Sequence, residues 1–329
     1  MSARSRSLPG MDVALRARPH EAAARESVYR PRHPVSLRLT LRSLGRGPYD
    51  PTTVWNDTGF WRTALTPIGA ATLHLRTLSD GAIAARAWGD GAEWMLDAVP
   101  RLLGSDDDWS SLDVSAHPLL RDALHRSAGL RLARTDRVFE SLAPAIIEQK
   151  VTSIEAYRSW RRLVAKHGTA APGPAPSGMR VFPSVEAWRR IPSWEWHRAG
   201  VDPRRSQAVL TAALVGHSLE RVCALPSDAE GLREAATRLT SVPGVGAWTA
   251  AEALQRALGD PDSVSVGDYH LAADVGHALI GSAVDDDGML ELLAPWQGQR
   301  QRVIRLIYAG GFTAPRRGPR ATIQDHRGH

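Results

Sequence analysis

Cysteine is almost absent from this sequence of 329 residues, in which Cys223 is the single thiol. One cysteine excludes a disulfide framework, a zinc site held by several cysteines and a four-cysteine iron–sulfur cluster built from this chain alone. The twelve histidines include no pair at metal-ligand spacing on a common predicted helix. We therefore expect neither a catalytic metal nor a cofactor.

Long hydrophobic runs are also missing from the chain. No apolar stretch approaches the roughly 20 residues that a membrane-spanning helix requires. The hydrophobic fraction of 43% is nevertheless ordinary for a globular protein. We expect no membrane partner and, by default, a cytoplasmic location.

Basic residues outnumber acidic residues, giving a net charge of +6 and a sequence pI near 10.0. Most of the basic residues are arginines, whose planar guanidinium group binds phosphate in a fork. The balance favours a polyanionic partner, nucleic acid first. An arginine-rich codon usage without functional meaning remains the alternative.

The first third of the chain shows strand patterns. Residues 1–33 are rich in Arg, Ala and Ser and are predicted to be loose. A small α+β domain with an antiparallel sheet is predicted over residues 34–108, ending in a helix over 91–103. Alternating or β-prone segments predict three of its strands, the last two flanking a Ser-Asp-Gly turn: residues 35–41, 71–77 and 82–88.

The rest of the chain, residues 109–313, has helical periodicity and no strand pattern. The clearest helix starts at Thr152, where Thr152 and Glu155 form a capping-box pattern. Residues 168–178 predict a rigid, solvated linker, and residues 314–329 a disordered basic tail. Further helices are predicted at residues 137–149, 184–191, 202–216, 230–240, 248–258, 269–280 and 298–309.

The most informative segment is a Pro-Gly-Val-Gly turn between two predicted helices. Two glycines one residue apart permit unusual backbone angles and leave no side chain to block an approaching ligand. Exposed N–H groups at a helix N-terminus suit a phosphate oxygen, although a plain turn between packed helices has the same short pattern. The predicted hairpin consists of Val242, Pro243, Gly244, Val245, Gly246 and Ala247.

In its full context, Leu-Thr-Ser-Val-Pro-Gly-Val-Gly-Ala-Trp-Thr-Ala, the segment resembles the DNA-binding hairpin of the helix-hairpin-helix DNA glycosylase superfamily. The resemblance implies two helical subdomains and a catalytic aspartate about twenty residues further on. That position holds Asp268, in Ser-Val-Gly-Asp-Tyr-His. Asp268 is equally placed to cap a helix, and the two roles are compatible.

A single carboxylate suits the chemistry that the resemblance implies. Cleaving a base from deoxyribose develops positive charge on the sugar, which a fixed carboxylate stabilises while it orients or deprotonates a water molecule. Members that also cut the strand carry a lysine just after the hairpin glycines, where this chain has Trp248. The resemblance therefore implies a hydrolytic glycosylase without lyase activity.

The base pocket is predicted from the alkylation-repair branch of the superfamily, the 3-methyladenine DNA glycosylase II (AlkA-like) type. A flipped, cationic base gains from stacking on an electron-rich ring, and Trp248 and Trp296 fall at pocket positions by resemblance. Each could equally be a core tryptophan. Glu252 stands where a second aromatic residue is usual.

A second stretch, Glu-Gln-Lys-Val-Thr-Ser, is similar to the family's Gly-Gln-x-Val-Ser block. Gln149 and Lys150 are predicted there as the wedge that fills the gap left by the flipped nucleotide, with Glu148 in place of the glycine. A solvated lysine at a helix end is the alternative for Lys150. The resemblance also suggests a structural cation on hairpin carbonyls, those of Thr240, Val242 and Val245.

Together with the resemblance, these features predict a monomeric enzyme, associated with the nucleoid, that excises alkylated, 3-methyladenine-type bases from double-stranded DNA. Within that class, another lesion such as a mismatched or oxidised base is the alternative substrate. A catalytically silent DNA-binding module that uses only the hairpin is the alternative of a different class.

Overall fold

The computed structural model describes residues 24–315. The larger sheet and its two helices occupy the first third of this range. Its elements are β1 (Arg25–Tyr29), α1 (Leu37–Leu41), β2 (Thr53–Asn56), β3 (Gly59–Thr66), β4 (Gly69–Thr77), β5 (Ile83–Trp88) and α2 (Ala92–Leu102).

The remainder is almost entirely helical, apart from a two-stranded ladder. Its elements are α3 (Pro118–Arg126), α4 (Val138–Ile147), α5 (Ser153–His167), β6 (Thr169–Ala170), β7 (Arg180–Val181), α6 (Val185–Arg189), α7 (Ser193–Ala199), α8 (Pro203–Leu214), α9 (Gly216–Glu220), α10 (Ala229–Thr240), α11 (Ala247–Ala257), α12 (Leu271–Ile280), α13 (Asp286–Leu293) and α14 (Arg300–Ala309). Every helix within the described range is too short or too polar to cross a bilayer.

The five-stranded sheet is antiparallel, with the strand order β1-β5-β4-β3-β2. The predicted hairpin is confirmed: β4 and β5 flank a turn in which Gly81, at φ +82°, donates its N–H to the Leu78 carbonyl at 3.0 Å. Buried side chains of the sheet, among them Leu73, Leu75 and Ile83, pack with those of α2.

The strand predicted over residues 35–41 is wrong, because this segment forms the short helix α1. Leu37 and Leu41 lie four residues apart and both are buried, so they share one face of a helix. The same spacing also fits the alternation of a strand. The Ser36 hydroxyl oxygen accepts the N–H of Leu39 at 3.3 Å and caps the helix.

The prediction of a loose segment over residues 1–33 is wrong in its last part. Arg25–Tyr29 forms the edge strand β1 and pairs with β5, although most of its side chains face solvent. Because few of the side chains of β1 are buried, the strand lacks the alternating apolar residues that would predict it from the sequence. Residues 1–23, and 316–329 of the predicted tail, lie outside the described residues.

None of residues 168–178 is buried, as predicted for a solvated segment, but the segment packs on the sheet and is not a free linker. β6 and β7 pair with each other, and the segment between them covers the sheet. Trp61, Trp88 and Met179 form a buried cluster there. A Cβ atom added at Gly173 would lie 2.3 Å from the Trp88 ring, so the backbone of this segment rests directly on the indole.

The predicted long helices are confirmed, including the capping box at Thr152. Four short helices, each of nine residues or fewer, were not predicted from the sequence: α3, α7, α9 and α13. Such lengths allow too few turns for helical periodicity to be distinctive.

The helices form the two subdomains that the resemblance implies. One hydrophobic cluster lies within residues 138–257 and includes α4, α8 and α11. The other joins residues 112–130 with residues 271–307. The mostly helical fold with a small antiparallel sheet domain is therefore confirmed, and Asp268 lies in the segment that leads from one cluster to the other.

Candidate active site

The predicted hairpin is the turn that joins α10 to α11. Val242 and Val245 are buried, whereas Pro243, Gly244 and Gly246 are exposed. The two valines thus anchor the turn in the helical core while its glycines face outward. Gly246 precedes α11 without a side-chain cap, which leaves the first N–H groups of that helix available to an anion.

The two hairpin glycines differ in whether the structure requires glycine at their position. Gly244 has φ +89°, and a Cβ atom there would lie 2.6 Å from the Cβ atom of Ala208 on α8. Gly246 has an extended backbone, at φ −94°, and open space where a side chain would stand. Gly244 is therefore required by the fold, and Gly246 by nothing within the protein.

One of the three carbonyls suggested for the cation site has an internal partner. The Val242 carbonyl accepts the N–H of Val245 at 2.9 Å, which uses one of its two lone pairs. Coordination of a cation by Thr240, Val242 and Val245 stays a prediction.

The Gln149 side chain contacts the hairpin. Its amide nitrogen donates to the Gly244 carbonyl at 2.9 Å and to the Thr249 hydroxyl at 2.8 Å. These hydrogen bonds help to position the hairpin, and the wedge role of Gln149 stays a prediction. The sequence could not reveal this pairing, because it joins residues about a hundred positions apart.

Lys150 lies at the tip of the same turn, beside the hairpin that Gln149 holds. It is exposed and has φ +54°, a left-handed conformation that is rare for a residue with a side chain. Its placement is compatible with the predicted wedge, which remains a prediction. Glu148, the departure from the family glycine, forms an ion pair with Arg46 of the sheet domain.

Asp268 lies at the start of α12, with its carboxylate held by three donors. Oδ1 accepts the backbone N–H groups of His270 at 2.9 Å and Leu271 at 3.0 Å. Oδ2 accepts the indole N–H of Trp248 at 3.3 Å. Asp268 thus caps N–H groups at the start of α12 and lies beside the residue that follows the hairpin, and its catalytic role stays a prediction.

Trp248 and Glu252 lie one turn apart on α11, but they face different partners. The half-buried Trp248 contacts Asp268, whereas the Glu252 carboxylate accepts hydrogen bonds from the Ser265 hydroxyl at 2.5 Å and from Arg256 at 2.7 Å. Burial raises the pKa of Glu252, but the charge of Arg256 and the Ser265 hydroxyl outweigh burial and hold it below its usual range. A role for Glu252 in the base pocket stays a prediction.

Trp296 has the surroundings of a core tryptophan. Its side chain is 7% exposed, packs in the second helical cluster and lies against His117. Its indole N–H donates to the Asp113 carbonyl at 2.6 Å. A base-pocket role for Trp296 would require the indole to become accessible, and it stays a prediction.

Comparisons with known proteins agree with this geometry. No family model matches the chain. The probable bifunctional transcriptional activator/DNA repair enzyme AlkA of Mycobacterium tuberculosis is 30% identical over 277 residues, which cover 80% of this chain and 54% of that protein. The chain thus spans about half the length of the curated relatives it matches.

Solved structures establish the fold. The 3-methyladenine DNA glycosylase of Archaeoglobus fulgidus superposes with a TM-score of 0.69 at 19% identity, over 88% of this chain and 100% of that one. The chain has the fold of the helix-hairpin-helix DNA glycosylases. An 8-oxoguanine glycosylase/lyase of Clostridium acetobutylicum in complex with DNA has the same helix-hairpin-helix glycosylase fold, with a TM-score of 0.67, 13% identity and coverage of 87% and 96%.

Sequence reasoning missed two residues near Asp268. Tyr269, directly after Asp268, is 91% exposed, and its aromatic character beside the candidate catalytic residue could have identified it. The Tyr308 hydroxyl on α14 donates to Asp274 at 3.1 Å, and no local pattern signals that contact. Burial and the nearby carboxylates raise the pKa of Tyr308, so it stays a neutral donor.

Proposed function

We propose that this chain is a monofunctional DNA N-glycosylase that removes alkylated, 3-methyladenine-type bases from duplex DNA and acts as a monomer. The observation that carries the proposal is the pairing of Asp268 with Trp248 at 3.3 Å, directly beside the outward-facing hairpin. The pairing sets a carboxylate and an aromatic face where one flipped nucleotide can meet both. The AlkA relative and the archaeal 3-methyladenine glycosylase support the alkylated class of substrate.

In this mechanism the hairpin binds the DNA backbone through N–H groups at the start of α11, and Lys150 adds positive charge beside it. The flipped base stacks on Trp248, where a cationic, electron-poor ring is favoured. Asp268 stabilises the positive charge that develops on the sugar, and it orients or deprotonates the attacking water. An alkylated purine already carries positive charge, so its departure needs little acid assistance.

The proposed absence of lyase activity follows from the side chain at position 248. The indole of Trp248 has no amine with which to form a Schiff base with the sugar. The group beside this indole is the Asp268 carboxylate, which forms no Schiff base either. The 8-oxoguanine glycosylase/lyase with the same fold makes the point worth testing. Borohydride trapping should yield no covalent protein–DNA adduct, and a trapped adduct would contradict the hydrolytic mechanism.

The deciding experiment measures free bases released from methylated duplex DNA by the wild type and by Asp268→Asn. We expect release of 3-methyladenine or 7-methylguanine by the wild type, and loss of release with retained DNA binding in the variant. Excision from a mismatch or 8-oxoguanine duplex alone would favour the other lesion class. Tight binding without any excision would favour the silent DNA-binding module.

A further inference from the structure

The Glu252 carboxylate is fully engaged within the protein. Its Oε1 accepts the Ser265 hydroxyl at 2.5 Å, and its Oε2 accepts an Arg256 N–H at 2.7 Å. The side chain is only 15% exposed. A carboxylate with one hydrogen-bond partner on each oxygen is fixed in position. It also restrains the positions of its two partners.

Ser265 is the residue through which Glu252 reaches the loop that carries Asp268. Ser265 is 4% exposed, and its hydroxyl oxygen also accepts the amide N–H of Gln255 at 2.9 Å. Its backbone carbonyl accepts the N–H of Asp268 at 3.1 Å and closes the turn between the two residues. The position of Asp268 thus depends directly on the position of Ser265.

Helix α11 holds this loop at both ends. Trp248 contacts Asp268 at the end of the loop, and Glu252 contacts Ser265 at its start. The two side chains are four residues apart and therefore lie on the same face of the helix. Both contacts come from one helix, so a rigid element fixes both ends of the loop.

Arg256 completes the arrangement by fixing Glu252 itself. Its guanidinium donates to the Glu252 carboxylate, to the Glu252 carbonyl at 2.8 Å, and to the Ser43 carbonyl of the sheet domain at 3.0 Å. An aromatic residue at position 252, as is usual in the alkylation-repair branch, lacks the two acceptor oxygens. It could not accept hydrogen bonds from both Ser265 and Arg256.

We propose that Glu252 is a positioning residue, which sets Asp268 in its reactive place by holding Ser265 while Arg256 holds Glu252. This inference rests on the proposed function for its kinetic consequence. The restraint on the loop of residues 265–268 does not depend on the proposed function.

The test compares Glu252→Leu, Glu252→Gln and Ser265→Ala with the wild type. Leucine removes both acceptors, whereas glutamine keeps an oxygen that can accept the Ser265 hydroxyl. Misplacement of a reacting group by about 1 Å lowers rates by roughly a hundredfold, so we expect losses of that order for Glu252→Leu and Ser265→Ala, and partial rescue in Glu252→Gln. The measurements are single-turnover excision and affinity for duplex DNA with an abasic-site analogue, which should not change.

A matched control separates positioning from a general loss of stability. Glu195, on α7, is also a buried carboxylate in an ion pair, with Lys166 at 2.6 Å, but it lies away from the loop. Glu195→Gln should lower the melting temperature and leave the excision rate of the folded protein unchanged. A rate loss in Glu195→Gln equal to that in Glu252→Leu would overturn the proposal.

Hydrogen exchange gives a readout that does not depend on any glycosylase activity. Amides of residues 266–271 should exchange faster in Ser265→Ala and Glu252→Leu than in the wild type and Glu195→Gln. If the wild type releases no base, the proposed function fails while exchange still tests the restraint. Unchanged exchange in both loop variants would refute the positioning role.

Discussion

The Gln149 amide donates to the carbonyl of Gly244 at 2.9 Å, so the turn after α4 and the hairpin before α11 form one rigid unit. The same amide reaches the hydroxyl of Thr249, which is 2% exposed. The unit carries Lys150 on one side and the outward-facing glycines on the other. The DNA contacts proposed for the two turns therefore have a fixed relative position.

Gln149→Ala should destabilise the protein and weaken DNA binding together. The substitution leaves the buried Thr249 hydroxyl and the Gly244 carbonyl without their partner, at a cost of about 1–3 kcal/mol in the free energy of unfolding. Denaturant unfolding and affinity for undamaged duplex measure the two effects. Lys150→Ala is the matched control, which should weaken binding only. Unchanged stability in Gln149→Ala would contradict the role of this side chain.

Gly244 and Gly246 should respond differently to substitution. Gly244→Ala meets both a left-handed backbone and the Ala208 contact, so it should lower the melting temperature. Gly246→Leu meets neither, and it should leave stability unchanged while blocking the approach of a phosphate to α11. We expect weaker binding to all duplex sequences alike in Gly246→Leu. Full affinity in that variant would remove the hairpin from the DNA-binding surface.

Trp248→Phe tests the hydrogen bond to Asp268 apart from the aromatic face. Phenylalanine keeps a ring for stacking but removes the N–H that reaches Oδ2 at 3.3 Å. A hydrogen bond to a charged group contributes about 1.5 kcal/mol, so single-turnover excision should fall by about tenfold. Trp248→Ala, which also removes the ring, should fall further. Equal rates in the wild type and Trp248→Phe would show that the contact does not assist Asp268.

The pH dependence of stability should change in Glu252→Gln. Because the pKa of Glu252 is lowered in the folded protein from an ordinary value of 4.5, its contribution is present above pH 4.5 and is lost as pH falls through the folded value. Glutamine removes this dependence, so unfolding free energy should decline less steeply below pH 4.5. Glu291→Gln, a change at an exposed position, is the control. An unchanged acid limb would contradict the lowered pKa.

Local patterns predicted much of the fold and the position of the candidate site. The capping box at Thr152 and the Asp-Gly turn are short local patterns, whereas Asp268 was identified by the family resemblance of the hairpin. The helix at Leu37–Leu41 was mistaken for a strand because five residues satisfy both periodicities. Short elements of this kind are decided by tertiary packing.

Contacts between distant parts of the chain were beyond sequence reasoning. Arg46 pairs with Glu148, and Arg256 reaches the Ser43 carbonyl, but nothing in either local sequence indicates its partner. The same holds for Gln149, whose hydrogen bonds to Gly244 and Thr249 are not indicated by any local pattern. Residue type at a motif position indicates chemistry, whereas orientation depends on neighbours that only the fold brings together.

The second helical cluster unites residues 112–130 with residues 271–307, on either side of the first cluster. During synthesis, the first helical subdomain can fold while its counterpart still lacks the helices that complete it. Asp268 lies just before α12, one of those last helices, so a nascent or truncated chain has its hairpin before the Asp268 carboxylate is in place. Under the proposed function, a DNA-binding surface therefore forms before the catalytic site.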